Sequence, residues 1–387
     1  MNSILNKIKQ NGLSFEGKMP ICRMDKSGNY ILGNGGDWTD GFYVGLFYIA
    51  YILSQDIDFL DIAKKYDDFF QLRIQNDETV NKKHNYLKLD HDVGMIFLPV
   101  NGLKYKLFHH ETDFDTVMKA AKILAQRYNE RGCFIRAWDT WSWDSDKEFI
   151  EEKKGKVIID SMMNIPLLFQ AAKMSGNDEY HNIAYNHAVT VAKYLVRSDY
   201  STYHSFNFNH ETGEPIIGKT IQGYDDSSCW SRGEAWAIYG FALAYKYTGC
   251  DDFLNIAKGT CKYFVEHLDS VGMPCWDFSA ASEIFAPWDS SAAVIAASGM
   301  IELHELTHDD FYLSCAKNIL ASVERFCLTD KYPKCQPLIL HGCIGSAYSK
   351  CEPKSIINPY IEQALVYADY FYMECLMKLS NCKIRIF

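Results

Sequence analysis

Residues 160–195, DSMMNIPLLFQAAKMSGNDEYHNIAYNHAVTVAKYL, hold one unit of a pattern that returns along the whole chain. An apolar segment, Asp160 to Ala172, leads through the short acidic turn SGNDEY into an amphipathic helix with Ala near its centre. A helix that is apolar on every side is buried all round, whereas one apolar stripe marks a helix with a wet face. The couplet therefore predicts an inner helix followed by an outer partner.

Working outward, Phe42–Leu53 is another all-apolar run, and it precedes Phe59, Ile62, Ala63, Tyr66, Phe69 and Phe70 at helical spacing with charges between them. Asp92–Leu103 leads through HHETDFD into MKAAKILAQRY, and Trp230–Tyr247 leads through TGCDDF into LNIAKGTCKYFVEHL. Trp288–Leu303 leads through THDDF into YLSCAKNILASVERF, and Tyr360–Lys378 closes the chain. Unit starts at 38, 92, 160, 230, 288 and about 359 read as a structural repeat. Six inner helices, five followed by an outer one, with Ser3–Gln10 as the sixth outer helix, predict a closed all-α (α/α)6 toroid in which residues 1–387 form one domain. An open solenoid would need polar end repeats, and these ends are apolar. Strand alternation is confined to Tyr203–Phe208 and Pro215–Thr220, which pair as a hairpin across NHETGE.

The net charge of -10, with no run of Lys or Arg, argues against nucleic acid or an anionic membrane as a partner. The first twenty residues lack the apolar core and cleavage site of a secretory signal, and the apolar runs are too short to span a bilayer. Thirteen cysteines, scattered and without a C-x-x-C pair, fit reduced thiols better than a disulfide framework or a zinc site. These features predict a cytoplasmic protein.

In such a toroid the N-terminal ends of the inner helices share one rim. The segments brought there are GGDWTDG, LDHDVG, IIDSMMN, DDSSCWSRGEAW, APWDSS and NPYIEQ. Asp160 is the candidate catalytic carboxyl: Ile158, Ile159, Met162 and Met163 offer an apolar wall that raises its pKa, while a helix N-terminus lowers it. The same pattern also describes an ordinary N-cap. Asp92, beside Gly94, is a second rim carboxylate, and two carboxyls brought together push each other's pKa values apart. Asp90 reads as a structural cap. Trp38, Trp230, Trp236 and Trp288 lie at the rim, and Trp138, Trp141 and Trp143 crowd the loop RAWDTWSW, where flat sugar faces stack on aromatics. His204, Gln222 and Arg232 suit a carboxylate and sugar hydroxyls. Neither H-E-x-x-H nor an EF-hand loop is present, so no metal is expected.

At GDWTDGF, HDVGM, IIDSMMNIPLL, RSDYSTYHSFNFNHETGE, TIQGYDDSSCWSRGEAWAIYGFALAYKYTG and ILHG the chain resembles the unsaturated glucuronyl hydrolases, glycoside hydrolase family 88. The resemblance implies a six-hairpin α/α barrel that removes the 4,5-unsaturated uronic acid left at the non-reducing end of oligosaccharides by polysaccharide lyases. It implies that Asp160 is the general acid and base, that Asp92 positions water and tunes Asp160, and that Trp38 and Trp236 stack on the unsaturated ring. His204, Gln222 and Arg232 would contact the ring's oxygens, and no cofactor is involved. The stretch HGCIGSAYSKCEPKS lies where the family distinguishes sulfated sugars, with Ser346, Ser349 and Lys350 available to a sulfate.

Three rivals stand beside this reading. A related barrel removes unsaturated galacturonate from rhamnogalacturonan fragments, but SRGEAWAIYG matches the glucuronyl group. A sugar epimerase on a similar barrel wants paired histidines. A non-catalytic carbohydrate-binding scaffold accounts for the tryptophans but not for carboxylates at apolar helix mouths.

Overall fold

The computed structural model describes residues 1–139, 145–280, 286–345, 362–380 and 382–387. The inner ring runs through Asp40–Ser54, Val93–Phe97 continued by a π-turn into Leu103–Phe108, Pro166–Ser175, Ser231–Thr248, Ser290–Thr307 and Val366–Leu379. The outer ring runs through Asp58–Lys64 with Asp67–Arg73, then Glu111–Ala125, Asp178–Tyr194, Asp251–Glu266, Asp310–Phe326 and Asn2–Ser14. This is the (α/α)6 barrel that the repeat predicts. The inner helices are buried nearly throughout, as their composition requires: Ser231 to Ala244 and Ser290 to Leu303 are inaccessible without a break.

The turn chemistry repeats as well. Inner helices end on a left-handed residue, Gly176, Gly249 or His308, whose N–H bonds back to Ala172, Tyr245 or His304 at 2.7–2.8 Å. Asn177 and Asp309 then accept the N–H groups of Glu179 and Phe311 and start the outer helices. The polar residues of the turn between an inner helix and its outer partner therefore act as caps.

The ring closes at two layers. Phe42 of the first inner helix meets Tyr370 and Phe371 of the last at 5.0 and 5.3 Å between ring centres. Outside, Lys7 donates to the carbonyl and hydroxyl oxygens of Thr329, both at 2.7 Å, and Asn11 donates to the Gln336 carbonyl at 2.8 Å, so the first helix takes the sixth outer place. Close approach between inner helices needs a missing side chain: a Cβ on Gly299 would sit 2.9 Å from Tyr239 Cα.

Two local expectations are corrected. The hairpin Ser205–Phe208 with Pro215–Lys219 forms as expected, but Lys156–Ile158 adds a third antiparallel strand against it. A further hairpin, Met19–Met24 with Tyr30–Gly33, went unread because its register breaks between Pro20 and Met24, which erases the alternation that betrays a strand. Tyr128–Asn129 with Phe134–Ile135 is too short to show one.

Candidate active site

One rim of the barrel opens into a cavity of about 530 Å³. Five of the six inner-helix elements supply part of its wall. Asp37 and Trp38 come from the Gly-rich loop, Asp90 and Asp92 from LDHDVG, Ile158 and Asp160 from IIDSMMN, Ile221 and Gln222 from the fourth loop, Tyr367 from the last helix. The unread hairpin adds Ile21, Cys22 and Arg23. Trp138 also lines it, and Trp38 packs on Tyr367 at 5.0 Å between ring centres.

Asp160 does not cap a helix. It lies in a 3₁₀ turn, Ile159–Met163, that precedes the helix proper, and its side chain makes no capping bond. The reason is local: Ile158 is still the end of the short strand, and Pro166 fixes the start of the helix further on. The carboxyl is 8% exposed, and its Oδ2 is buried without a hydrogen-bond partner. Burial pushes its pKa up to about 7, Asp92 pushes the same way, and Arg232 and the Trp236 indole N–H pull it back. Asp92 is raised to about 7 by burial too, against a hydrogen bond from Asn164. Asp90 accepts the Asp92 N–H at 3.0 Å, a turn-capping bond, yet it also lines the cavity and is pushed up to about 6 by burial.

The turn bearing Asp160 is held from behind. His187 Nδ1 accepts the Ile135 N–H at 2.9 Å, so its proton sits on Nε2, which donates to Ser161 Oγ at 2.7 Å. Ser161 in turn donates to the Ile158 carbonyl at 2.7 Å. Asn164 donates to Asp92 Oδ1 at 3.1 Å and accepts the Met95 N–H at 2.9 Å. None of these supports was read from the sequence, although Ser161 and Asn164 stand inside the IIDSMMN motif. Gly94 permits their approach, since a Cβ there would lie 2.6 Å from Asn164 Cα.

Among the residues expected in the site, Asp92, Asp160, Trp38, Trp138 and Gln222 are at the cavity. Three others stand behind its wall. Trp236 is fully buried and meets Phe371 edge-on at 5.4 Å. His204 is 2% exposed, and its Nδ1 accepts the N–H groups of Ile221 and Gln222 at 3.0 and 3.2 Å, fixing the loop that presents Gln222. Arg232 is buried, so its guanidinium must be satisfied by protein. Nη1 bonds Asp289, Ser291 Oγ and the Cys343 carbonyl, and Nη2 bonds Gln222 Oε1 at 2.9 Å and the Ile344 carbonyl at 2.8 Å. Arg232 thus orients Gln222 and supplies positive potential to Asp160 rather than an open fork. Trp141, Ser346, Ser349 and Lys350 lie outside the described residues.

Asp90, His91 and Asp92 form the one group among the described residues with metal-ligand composition, their donor atoms within 4.8 Å of one another. Both carboxylates already accept protein N–H groups, and His91, pushed down to about 4 by burial, is neutral.

A model of Glycosyl Hydrolase Family 88 matches residues 23–268, a span containing both aspartates, Trp38 and the fourth inner helix. The chain belongs to glycosyl hydrolase family 88. It is therefore a glycoside hydrolase. Across this family it is 34% identical over 356 residues to the unsaturated glucuronyl hydrolase of Formosa agariphila, covering 90% of this chain and 81% of that one. It is 31% identical to the unsaturated chondroitin disaccharide hydrolase of Streptococcus pyogenes serotype M1, with 91% and 84% covered. The crystal structure of the unsaturated glucuronyl hydrolase of Bacillus sp. GL1 superposes with a TM-score of 0.86 at 29% identity, covering 98% of this chain and 95% of that one.

Proposed function

We propose that this family 88 enzyme removes the 4,5-unsaturated uronic acid from the non-reducing end of lyase-generated oligosaccharides of the glycosaminoglycan type, by hydrating the C4=C5 vinyl ether. The observation that carries the reading is Asp160: a buried carboxyl with an unpaired oxygen, next to a second buried carboxyl, on the wall of a cavity edged by Trp38 and Trp138.

In this mechanism the protonated Asp160 gives its proton to C4. Positive charge develops over C5 and the ring oxygen. Water then adds at C5 and returns a proton to the Asp160 carboxylate. The C5 hemiketal opens: C5 becomes a ketone, the ring oxygen becomes a hydroxyl on C1, and the C1 hemiacetal so formed releases the next sugar. Asp92 holds the attacking water and keeps the proton on Asp160 by like-charge repulsion. A uronate bound beside the pair adds a further negative charge and favours the acid form of Asp160. This differs from the two-carboxylate route at the anomeric carbon.

Trp38 supplies a stacking face, Gln222 a hydrogen-bonding edge and Trp138 the outer wall. Trp236, His204 and Arg232 act through Asp160 and the Gln222 loop. The whole chain works as one catalytic domain, a reading supported by a buried apolar cluster that runs from Ile4 to Phe387. The twelve described cysteines are all free, which supports a reducing compartment, the cytoplasm. Among the described residues no helix is long and apolar enough to cross a membrane.

The test is loss of the enoate ultraviolet absorbance on a panel of unsaturated uronyl disaccharides, sulfated and plain. Wild type is expected to bleach at least one of them, and Asp160→Asn to be slower by about 1,000-fold, the scale of a lost general acid. A folded wild-type protein that bleaches none overturns the reading.

A further inference from the structure

The two aspartates come from different inner elements, 68 residues apart in the chain. What joins them is a single side chain. Asn164 is fully buried, one residue past the turn that carries Asp160. Its Oδ1 accepts the Met95 N–H at 2.9 Å, which settles which end of the amide is oxygen. Its Nδ2 then has two hydrogens to place, and both have partners: Asp92 Oδ1 at 3.1 Å and the Asp160 backbone carbonyl at 3.4 Å. A clip that served only to dock two helices would be complete with the Met95 bond. This one also ends on a cavity carboxylate and on the backbone of the other.

We propose that Asn164 is a positioning residue for the reaction: its amide ties Asp92 to the Asp160 turn and fixes the two carboxyls relative to each other at the cavity wall. The inference rests on the roles given above to Asp92 and Asp160. Its chemistry follows from the donor. An N–H aimed at Asp92 favours the anion there, so the proton shared by the pair resides on Asp160, the group that must deliver it. The glycine opposite makes the fit specific, because any side chain at Gly94 would force apart the two segments that Asn164 joins.

The discriminating variant is Asn164→Asp, which keeps the shape and the acceptor for Met95 but withdraws the donor from Asp92 and sets a like charge beside it. Asn164→Ala removes all three bonds. Both are compared with wild type, Asp160→Asn and Asp92→Asn on an unsaturated disaccharide, with kcat and KM taken across pH and folding followed by circular dichroism. For Asn164→Asp, kcat is expected to fall by about 30-fold or more with KM changed by less than about threefold, the mark of a group that acts in the transition state. The acid limb of its kcat profile moves up by about one pH unit, because Asp92 holds its proton more tightly. A clip that is only structural would lower the melting temperature of both variants and leave the pH profile of kcat in place, and that result overturns the inference. If the alanine variant does not fold, the near-isosteric aspartate variant decides alone. An inactive Asp160→Asn beside an Asn164→Asp enzyme of wild-type kcat and profile sinks the inference but not the reading beneath it. A fully active Asp160→Asn removes both.

Discussion

In the proposed role, Asp160 can serve as an acid only because its surroundings oppose its charge. An exposed aspartate is ionised at neutral pH and has no proton to give, whereas this one, raised to about 7, holds one about half the time. The shift has a thermodynamic consequence with a definite sign. The unfolded chain releases the proton near 3.8 and the folded one near 7, so between those values the native state binds more protons. Stability is then fully present below about pH 4 and is lost as pH rises through 7. Asp160→Asn removes this loss. The variant is expected to melt higher than wild type at pH 8, by about 2–5 °C, and to show little difference at pH 4.5, as read by calorimetry. A variant that melts lower at pH 8 contradicts the buried, proton-holding carboxyl.

At the scale of the element, the 3₁₀ turn Ile159–Met163 has only the few i→i+3 bonds of a five-residue segment to hold it, and it depends on neighbours. The chain from the Ile135 N–H through His187 of an outer helix and Ser161 to the Ile158 carbonyl is one such support, and it is entirely buried. His187 is pushed down to about 3 by burial, so it stays neutral and cannot replace the lost partner by changing charge. Ser161→Ala is expected to cost about 1–3 kcal/mol in urea unfolding, the penalty of a buried donor left unpaired. It should also lower kcat, because the turn carrying Asp160 loosens. Unchanged stability would mean that His187 finds another acceptor. The hairpin Met19–Met24/Tyr30–Gly33 shows the limit of reading elements from pattern: its cavity residues Ile21, Cys22 and Arg23 sit on a strand whose bulge breaks the alternation.

For the whole molecule, closure of the ring is the decisive event, since a helix pair buries its apolar face only when its neighbours on both sides are in place. The outer layer closes at Lys7, whose ammonium donates to Thr329 and, at 3.2 Å, to the Tyr332 carbonyl. Lys7→Met leaves the buried Thr329 hydroxyl oxygen without a donor, while the Thr329 and Tyr332 carbonyls keep the backbone N–H groups of Tyr332 and Cys335. We expect a loss of about 1–3 kcal/mol in urea unfolding with kcat unchanged, because none of these contacts reaches the cavity. A fall in kcat at constant stability would show that the outer closure shapes the site.

The sequence by itself determined the barrel, because burial all round and burial on one face leave different periodicities, and six repetitions of that contrast admit one closed arrangement. It also singled out Asp92 and Asp160 as candidate rim carboxylates, in a pattern that equally describes helix caps, and the structure brings both to one cavity wall. Only the tertiary structure decided that Trp236, His204 and Arg232 stand behind the wall while Asp37, Tyr367 and the first hairpin stand in it, because rim position along the chain does not say which way a side chain points. Asn164 was equally beyond reach: its meaning lies in bonds to residues 69 and 72 positions away, and a polar residue one turn past an aspartate looks the same whether it faces water or a second carboxylate.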